Sequence, residues 1–272
     1  MRTISAENYK MRKSAQLKIM TVIGAAFALL MAFLLNYIQS MMAGVPEMGG
    51  QMGQAVDSLN YFSGLKAMFS ITQLSQIITI LTAVFAGTYI VNEFDKGTVR
   101  NALASGMSRT SWFFGKVYAM AAVTVWLVVV TDLVFILAGA AFAGWGAMDI
   151  GNIAGNFVLY FLMALLQSLA YSSIFLVIAF VIRGVGGTVG LGIAIYLVEQ
   201  LAAQILPALN NNFLTKVANN LLYSINAAMR TWFMNYGSVF NADFAKLGIT
   251  GIIVIVVTLA IAFITFQKRD VK

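Results

Sequence analysis

Apolar residues along this chain form six long runs, and polar or glycine-rich stretches separate each run from the next. Each run has about the 20 residues that an α-helix needs to cross a hydrocarbon core of roughly 30 Å. The pattern therefore predicts an all-α membrane protein with six transmembrane helices. We place the spans at residues 19–38, 71–91, 117–143, 156–182, 187–206 and 247–267.

The composition agrees with this pattern. Hydrophobic residues make up 60% of the 272 residues and charged residues only 10%, whereas soluble domains carry about 25% charged residues. A soluble fold of this length would leave much of that apolar surface in water. We therefore interpret residues 1–272 as a single transmembrane domain that contacts the lipid bilayer.

The N-terminal segment, residues 1–18, carries five basic residues and the single acid Glu7. We expect an amphipathic helix on the cytoplasmic leaflet with its lysines toward anionic headgroups; a disordered basic tail is the alternative. Six spans place both termini on one side of the membrane. Most lysines and arginines lie in the two termini, in residues 92–116 and at Arg183, so the positive-inside rule predicts that this side is cytoplasmic.

The largest predicted outer region, residues 208–246, precedes the sixth span. Its apolar residues recur at helical spacing: Leu214, Val217, Leu221 and Ile225. This spacing predicts an amphipathic helix at the outer surface of the membrane.

The absence of both Cys and His excludes several kinds of chemistry. Thiolate and imidazole metal sites and Ser-His or Cys-His nucleophiles are not possible, so we predict no catalytic residue and no metal site, and a membrane-bound enzyme is disfavoured. The net charge of +7 is explained by basic residues at the cytoplasmic ends of spans. We therefore expect no nucleic-acid partner.

Residues 92–116, the charged segment, interrupt the apolar pattern between the second and third spans. Glu93, Asp95, Lys96 and Arg100 mix acids with bases, and the pattern predicts a short helix across the membrane surface. An anionic leaflet selects for bases and not for acids, so a protein partner explains the mixture better than lipid does. An ordinary positively charged loop remains the alternative from the residues alone.

The charged segment carries the pattern E-x-x-K-G-T-x-R-x-x-L-A-x-x-x-S-R-x-x-x-x-x-G-K from Glu93 to Lys116. This pattern resembles the cytoplasmic loop after the second span in bacterial ABC-2 type transporter permeases, which are the membrane subunits of ATP-binding cassette exporters. The order of the predicted elements is also similar. The chain departs from the family at residues 105–107, where a proline often precedes the Ser-Arg pair.

The resemblance implies that the charged segment holds a coupling helix that docks on a cassette ATPase. The residues that it assigns to this contact are Glu93, Lys96, Gly97, Thr98, Arg100, Leu103, Ser108 and Arg109. The chain has no G-x-x-x-x-G-K-[ST] loop, so ATP and Mg would be bound by a separate subunit and no cofactor by this chain. The resemblance also implies a dimer with a second copy or a related permease, in the bacterial cytoplasmic membrane.

Two acids lie inside the predicted spans, where a charge is costly and is a candidate functional group. Asp132 is in the third span, and Glu199 is in the fifth span beside two glutamines. The predicted substrate pathway has two parts. The fifth span contributes Glu199, Gln200 and Gln204, and a polar face of the second span contributes Gln73, Gln76 and Thr79. The alternative is that Asp132 and Glu199 pair with polar groups on neighbouring helices or reach the outer interface.

These observations predict an exporter permease that moves a hydrophobic or amphipathic drug, lipid or peptide outward. An ATP-independent secondary transporter or channel would explain the spans equally well but leaves the pattern in the charged segment without a role. A membrane protein that binds a peptide for immunity or sensing, without moving it, would suit the polar outer regions.

Overall fold

The computed structural model describes residues 2–42, 74–145, 150–226, 228–229 and 242–268. These residues form helices and turns, and no strand occurs among them. Six helices are long and apolar enough to cross a membrane. The prediction of an all-α protein with six candidate spans is therefore confirmed.

The helices are numbered in chain order, and a π-helical segment at Ala86–Val91 joins two of them. The bounds are α1 Arg2–Lys13, α2 Ala15–Met42, α3 Ser75–Phe85, α4 Asn92–Asp95, α5 Thr98–Ala104, α6 Arg109–Ala143, α7 Ile150–Ile182, α8 Val185–Ala208, α9 Asn212–Ala218 and α10 Ala242–Lys268. The candidate spans lie in α2, in α3 continued through the π segment into α4, and in α6, α7, α8 and α10.

The third long helix begins at Arg109 and not at residue 117, where the third span was placed. Ser108 is its N-cap: the residue has an extended backbone, and its side chain accepts a hydrogen bond from the Ser111 amide at 3.2 Å. Such a cap satisfies one of the free amides at a helix start. The last third of the charged segment therefore belongs to α6.

The second candidate span continues to Asp95, beyond its predicted end at residue 91. Its last part widens into the π segment before α4 begins. Gly97 then adopts a left-handed backbone with φ of 65° and turns the chain into α5. A residue with a Cβ would be strained at this turn.

The interior of the bundle contains the second candidate span, α6 and α7. In the apolar part of the second candidate span 67% of the residues are buried, whereas in the apolar part of α8 only 11% are. Large apolar side chains are exposed along the outer helices, as in Val22 on α2, Val198 on α8 and Val256 on α10. Such surfaces are suited to lipid or to another apolar subunit.

The region between α8 and α10 is not the single amphipathic helix that the spacing predicted. Helix α9 ends at Ala218, where the Asn220 side chain donates a hydrogen bond to the Lys216 carbonyl at 2.6 Å. A turn follows, so Leu221 and Ile225 do not extend the apolar face of α9. Asparagine side chains compete with helical hydrogen bonds in this way. Residues 230–241 lie outside the described part of the chain.

Candidate functional site

One end of the bundle, here called the terminal face, brings together α1, the charged segment and the last turn of α10. Thr3 contacts Ser111 through their hydroxyls, with 2.8 Å between the two oxygens. Arg109 Nη1 donates to the Gln267 carbonyl at 2.9 Å, which ties the start of α6 to the end of α10. The N-terminal helix that the sequence placed on lipid therefore also packs on protein.

A charge cluster lies in the interior of the terminal face. It consists of Glu7, Lys10, Glu93 and Lys116. The Lys116 ammonium is 2.7 Å from Glu7 Oε1 and 2.7 Å from Glu93 Oε1, and its side chain is only 1% exposed. Lys10 forms an ion pair with the same oxygen of Glu93. Two positive and two negative charges thus balance one another, and all but Lys10 are largely buried.

Aromatic rings surround the buried ammonium. The Tyr89 hydroxyl donates to Glu7 Oε2 at 2.7 Å, and Lys116 Nζ lies 4.9 Å from the centre of the Tyr89 ring and 5.3 Å from that of Trp112. Contacts of this kind stabilise a desolvated cation. Buried ion pairs need such additional contacts to offset the loss of hydration.

Lys10 is the accessible member of the charge cluster, with 47% of its side chain exposed. Partial burial, together with repulsion from the Lys116 ammonium, lowers the pKa of Lys10 from its usual 10.5 to about 8. The sequence assigned Lys10 to anionic headgroups. The structure directs its ammonium to Glu93 instead.

An aromatic cluster adjoins the charge cluster through Trp112. It contains Phe94, Trp112, Phe180 and Phe266, which come from α4, α6, α7 and α10. The ring of Phe94 is 5.6 Å from that of Trp112 and 6.1 Å from that of Phe180. The Arg183 guanidinium lies 4.8 Å from the centre of the Phe94 ring. Phe94 thus contacts three of the long helices and the turn that follows α7.

Helix α5 is the part of the charged segment that reaches the surface. Val99 is buried and Leu103 is half-buried, which fixes one side of the helix to the protein. The other side exposes polar and small residues: Thr98, Arg100, Asn101, Ala104 and Ser105. Helix α5 is therefore a short helix at the terminal face. No other part of the described chain covers its outer side.

Of the eight residues assigned to the ATPase contact, Leu103 is half-buried and Arg109 is bonded to Gln267. The other six divide into three groups. Lys96, Thr98 and Arg100 are exposed. Gly97 forms the turn, and Ser108 caps α6. Glu93 is only 6% exposed and is paired inside the charge cluster, so its carboxylate is turned away from any partner at the surface. The structure places Glu93 as an internal contact of the segment and not as part of its outer surface.

At the other end of α8, Glu199 is occupied by protein groups. The Tyr171 hydroxyl donates to Glu199 Oε2 at 2.8 Å. The backbone amides of Leu222 and Tyr223 donate to Glu199 Oε1, the second of them at 3.2 Å. Glu199 therefore fastens the turn after α9 to α7 and α8. This arrangement matches the alternative in which Glu199 pairs with polar groups, and it leaves few lone pairs for a substrate.

Among the described residues, the other members of the predicted pathway differ in burial. Gln73 lies outside the described residues. Gln76 and Gln204 are exposed, Gln200 is half-buried, and Thr79 is buried. The Thr79 hydroxyl donates to the Ser75 carbonyl in its own helix at 2.7 Å. The helical spacing of Gln76 and Thr79 thus suggested a shared face, but the packing of α3 separates them.

Asp132 is 2% exposed in the middle of α6. Within residues 2–42, 74–145, 150–226, 228–229 and 242–268, neither of its carboxylate oxygens has a hydrogen-bond partner. Pairing of Asp132 with a neighbouring helix, the alternative to a pathway role, is not observed among these residues.

The sequence did not predict a contact among Glu7, Lys10 and Lys116. Lys116 was visible as the last position of the charged pattern, and Glu7 as the single acid in a basic stretch. Their contact joins residues 109 positions apart in the chain. Spacing along the chain does not reveal such a pair.

Comparison with known proteins agrees with the pattern in the charged segment. The sequence matches a family model described as ABC-2 family transporter protein over residues 6–271. A search of curated proteins finds no match to the chain. From residue 6 onward the family match covers the terminal face, all six candidate spans and the region around Glu199, and it confirms the resemblance predicted from Glu93 to Lys116.

Proposed function

Because this chain belongs to the ABC-2 family of transporter proteins, it is a multi-span membrane transport component and not itself an ATPase, and we propose that it is the permease subunit of an exporter. In this proposal a separate cassette ATPase binds ATP and Mg, and its closure displaces the charged segment. The permease then moves a hydrophobic or amphipathic drug, lipid or peptide outward, as a dimer with a second copy or a related permease.

The observation that carries the proposal is the position of α5. Its outer side exposes Thr98, Arg100 and Asn101, while its inner side is fixed by the buried Val99. A helix held in this way offers side chains to a partner without being free to move independently. The other assigned residues flank this surface. Lys96 and Gly97 lie in the turn before α5, Leu103 on its half-buried side, and Ser108 and Arg109 at the start of α6.

The residues that flank α5 support transmission of a displacement. Glu93 is paired with Lys116 of α6 and Lys10 of α1, and Phe94 packs against Phe180 of α7 and Phe266 of α10. A shift of the charged segment would therefore displace several long helices together. Packed interfaces of this kind change between discrete arrangements and do not deform continuously.

The orientation follows from the charge distribution. In this proposal the terminal face, with α1 and the charged segment, is on the cytoplasmic side of the bacterial cytoplasmic membrane, because the basic residues concentrate there. Gln76, Gln200 and Gln204 are kept as candidate pathway residues, and Glu199 is assigned to holding the outer turn.

Co-purification tests the partner. A cassette ATPase should be recovered with the chain from membranes, and Arg100→Glu should lower its recovery by about tenfold or more. Loss of an interface Arg that acts as a hot spot commonly costs about 2 kcal/mol or more, which is about thirtyfold in affinity. Lys216→Glu is the matched control, since Lys216 is also exposed but lies on α9. Equal recovery with both variants would contradict the proposed contact.

Reconstituted vesicles test the direction and energy source. The probes are ethidium and a fluorescently labelled phospholipid. Movement of either probe across the bilayer should require ATP. Movement of either probe without ATP would favour the secondary-transporter alternative.

A further inference from the structure

We propose that Lys116 is a positioning residue that joins the N-terminal helix α1 to the charged segment, so that both move as one body. The role of this attachment in transport rests on the proposed function. The attachment itself is a property of this chain and is measurable without any ATPase.

Helix α1 is held on the protein mainly by polar contacts to α6 and to the second candidate span. Besides the charge cluster, the Tyr118 hydroxyl donates to Asn8 Oδ1 at 2.9 Å, and Thr3 contacts Ser111. Met11 is the buried apolar residue of α1 among those described. The attachment of α1 therefore depends mainly on charges and hydrogen bonds, and the ion pair between Glu7 and Lys116 is the most buried of these polar contacts.

Gly115 permits this close contact. A Cβ at residue 115 would lie 3.0 Å from Thr3 Cγ2 and 3.5 Å from Glu7 Cγ. A larger residue would push α1 away from α6 and lengthen the ion pair between Glu7 and Lys116. The glycine and lysine that end the charged pattern thus act together on α1.

The π segment directs Glu93 toward Lys116. Residues of an α-helix are about 100° apart around its axis, so the additional residue accommodated by a π turn rotates the following residues by a similar angle. Glu93 follows the π segment directly after Asn92. Gln16 Nε2, at the start of α2, donates to the Thr88 carbonyl within the π segment at 3.2 Å. The N-terminal region therefore also contacts the segment that orients Glu93.

The charge cluster divides into two neutral halves. Glu7 and Lys10 belong to α1, whereas Glu93 and Lys116 belong to α4 and α6. The double variant Glu7→Gln with Lys10→Gln removes the α1 half and leaves Lys116 paired with Glu93. It therefore weakens the attachment of α1 without leaving an uncompensated buried charge, which a single substitution would do.

Disulfide formation in the chain, which contains no Cys, measures this attachment. Thr3→Cys with Ser111→Cys should form a disulfide under mild oxidation, scored by the loss of two maleimide-reactive thiols. Adding Glu7→Gln and Lys10→Gln should slow the reaction by about tenfold or more, because each charged hydrogen bond lost corresponds to at least that factor. An unchanged rate would overturn the proposal. Ala6→Cys with Ser111→Cys is the control pair, since Ala6 is on the exposed side of α1.

Exchange of charges tests whether Lys116 acts through Glu7. Glu7→Lys alone and Lys116→Glu alone should each slow disulfide formation between positions 3 and 111. With Glu93→Gln added to every variant, so that the carboxylate at position 116 does not face a second acid, the two together should restore the rate to within about threefold of the Glu93→Gln parent, because opposite charges again face each other. Failure of the exchange to restore any of the loss would overturn the assignment of Lys116.

The disulfide also tests whether α1 stays attached during the cycle. In the complex with the ATPase that co-purifies, the variant whose positions 3 and 111 are joined by the disulfide should hydrolyse ATP within about twofold of its reduced form, since a joined body needs no separation. A loss that reduction reverses would show that α1 must detach, which contradicts the proposal. Absence of a co-purifying ATPase would contradict the proposed function and leave the two preceding tests of the attachment intact.

Discussion

Glu93 and Phe94 are consecutive residues whose side chains enter two different clusters at the terminal face. The Glu93 carboxylate is 2.7 Å from the Lys116 ammonium, and the Phe94 ring is 6.1 Å from that of Phe180. One residue connects the charged segment to α1 and α6, and the next connects it to α7 and α10. The start of the charged segment is thus fixed to four helices within two residues.

The aromatic contact predicts that Phe94→Ala separates ATP hydrolysis from transport. Loss of the ring should lower the free energy of unfolding of the bundle by roughly 3 kcal/mol. This value is the lower end of the usual range for Phe→Ala, because Phe94 is half-buried. We expect a lower Tm and less ethidium moved per ATP hydrolysed. Phe114→Ala is the control, since Phe114 is 59% exposed. Equal effects of both variants would remove the special role of Phe94.

The π segment predicts an effect of chain length. Deletion of Ala86 should allow the remainder of the segment Ala86–Val91 to become α-helical and rotate Glu93 by about 100° away from Lys116. We expect slower disulfide formation between cysteines introduced at positions 3 and 111 in this variant. Thr88→Ala changes the segment without shortening it and should retain the parent rate. A deletion variant that reacts as fast as the parent would show that the π turn does not orient Glu93.

Glu199 is predicted to hold the outer turn and not to bind substrate. Glu199→Gln keeps an acceptor but loses the charge, so it should destabilise the contact with Leu222 and Tyr223 by about 1.5–3 kcal/mol. We expect faster proteolysis near residues 219–223 and the same choice between ethidium and labelled phospholipid. A changed preference between the two probes, with the turn still protected, would instead return Glu199 to the pathway.

The lowered pKa of Lys10 predicts a pH dependence of stability. Lys10 has a pKa of about 8 in the folded chain against 10.5 when free, so the unfolded state binds more protons between these values. Folding stability should therefore rise from about pH 8 to pH 10, relative to the variant Lys10→Gln. The comparison of Tm in the two proteins isolates Lys10 from its charged neighbours.

The charged neighbours of Lys10 are Glu7 on α1, Glu93 on α4 and Lys116 on α6, with Lys96 further away. The neutral Tyr89 ring in the π segment lies 5.0 Å from the Lys10 ammonium. A Tm difference that falls as pH rises would show that attraction to Glu93 dominates over burial and repulsion from Lys116. The sign of the pH effect thus reports which interaction controls Lys10.

The predictable features of this chain depend on local signals. Long apolar runs predicted the six candidate spans, and the charged pattern from Glu93 predicted the family. The start of α6 was also predictable, because Ser108 is a typical N-cap before a helical run. The apolar run alone predicts a later start, because the residues become fully apolar only after Lys116.

Other features depend on contacts that the chain order does not reveal. The π segment has no clear sequence signature, and it decides where Glu93 points. The partners of Glu199 include backbone amides more than 20 positions away, which any residue type except proline would provide. An intramembrane acid therefore indicated a polar contact, but only the fold distinguishes a pathway residue from one that fastens a turn.

Site-specific crosslinking from α5 tests the central claim most directly. A photoreactive residue in place of Asn101, which is exposed on α5, should crosslink to the cassette ATPase in the purified complex, and the same residue in place of Phe213 on α9 should not. Crosslinks to the ATPase from Asn101 and from the exposed positions Thr98 and Arg100 are the predicted result. A complex that hydrolyses ATP and moves ethidium, yet gives no such crosslink from any of these positions, would contradict the account.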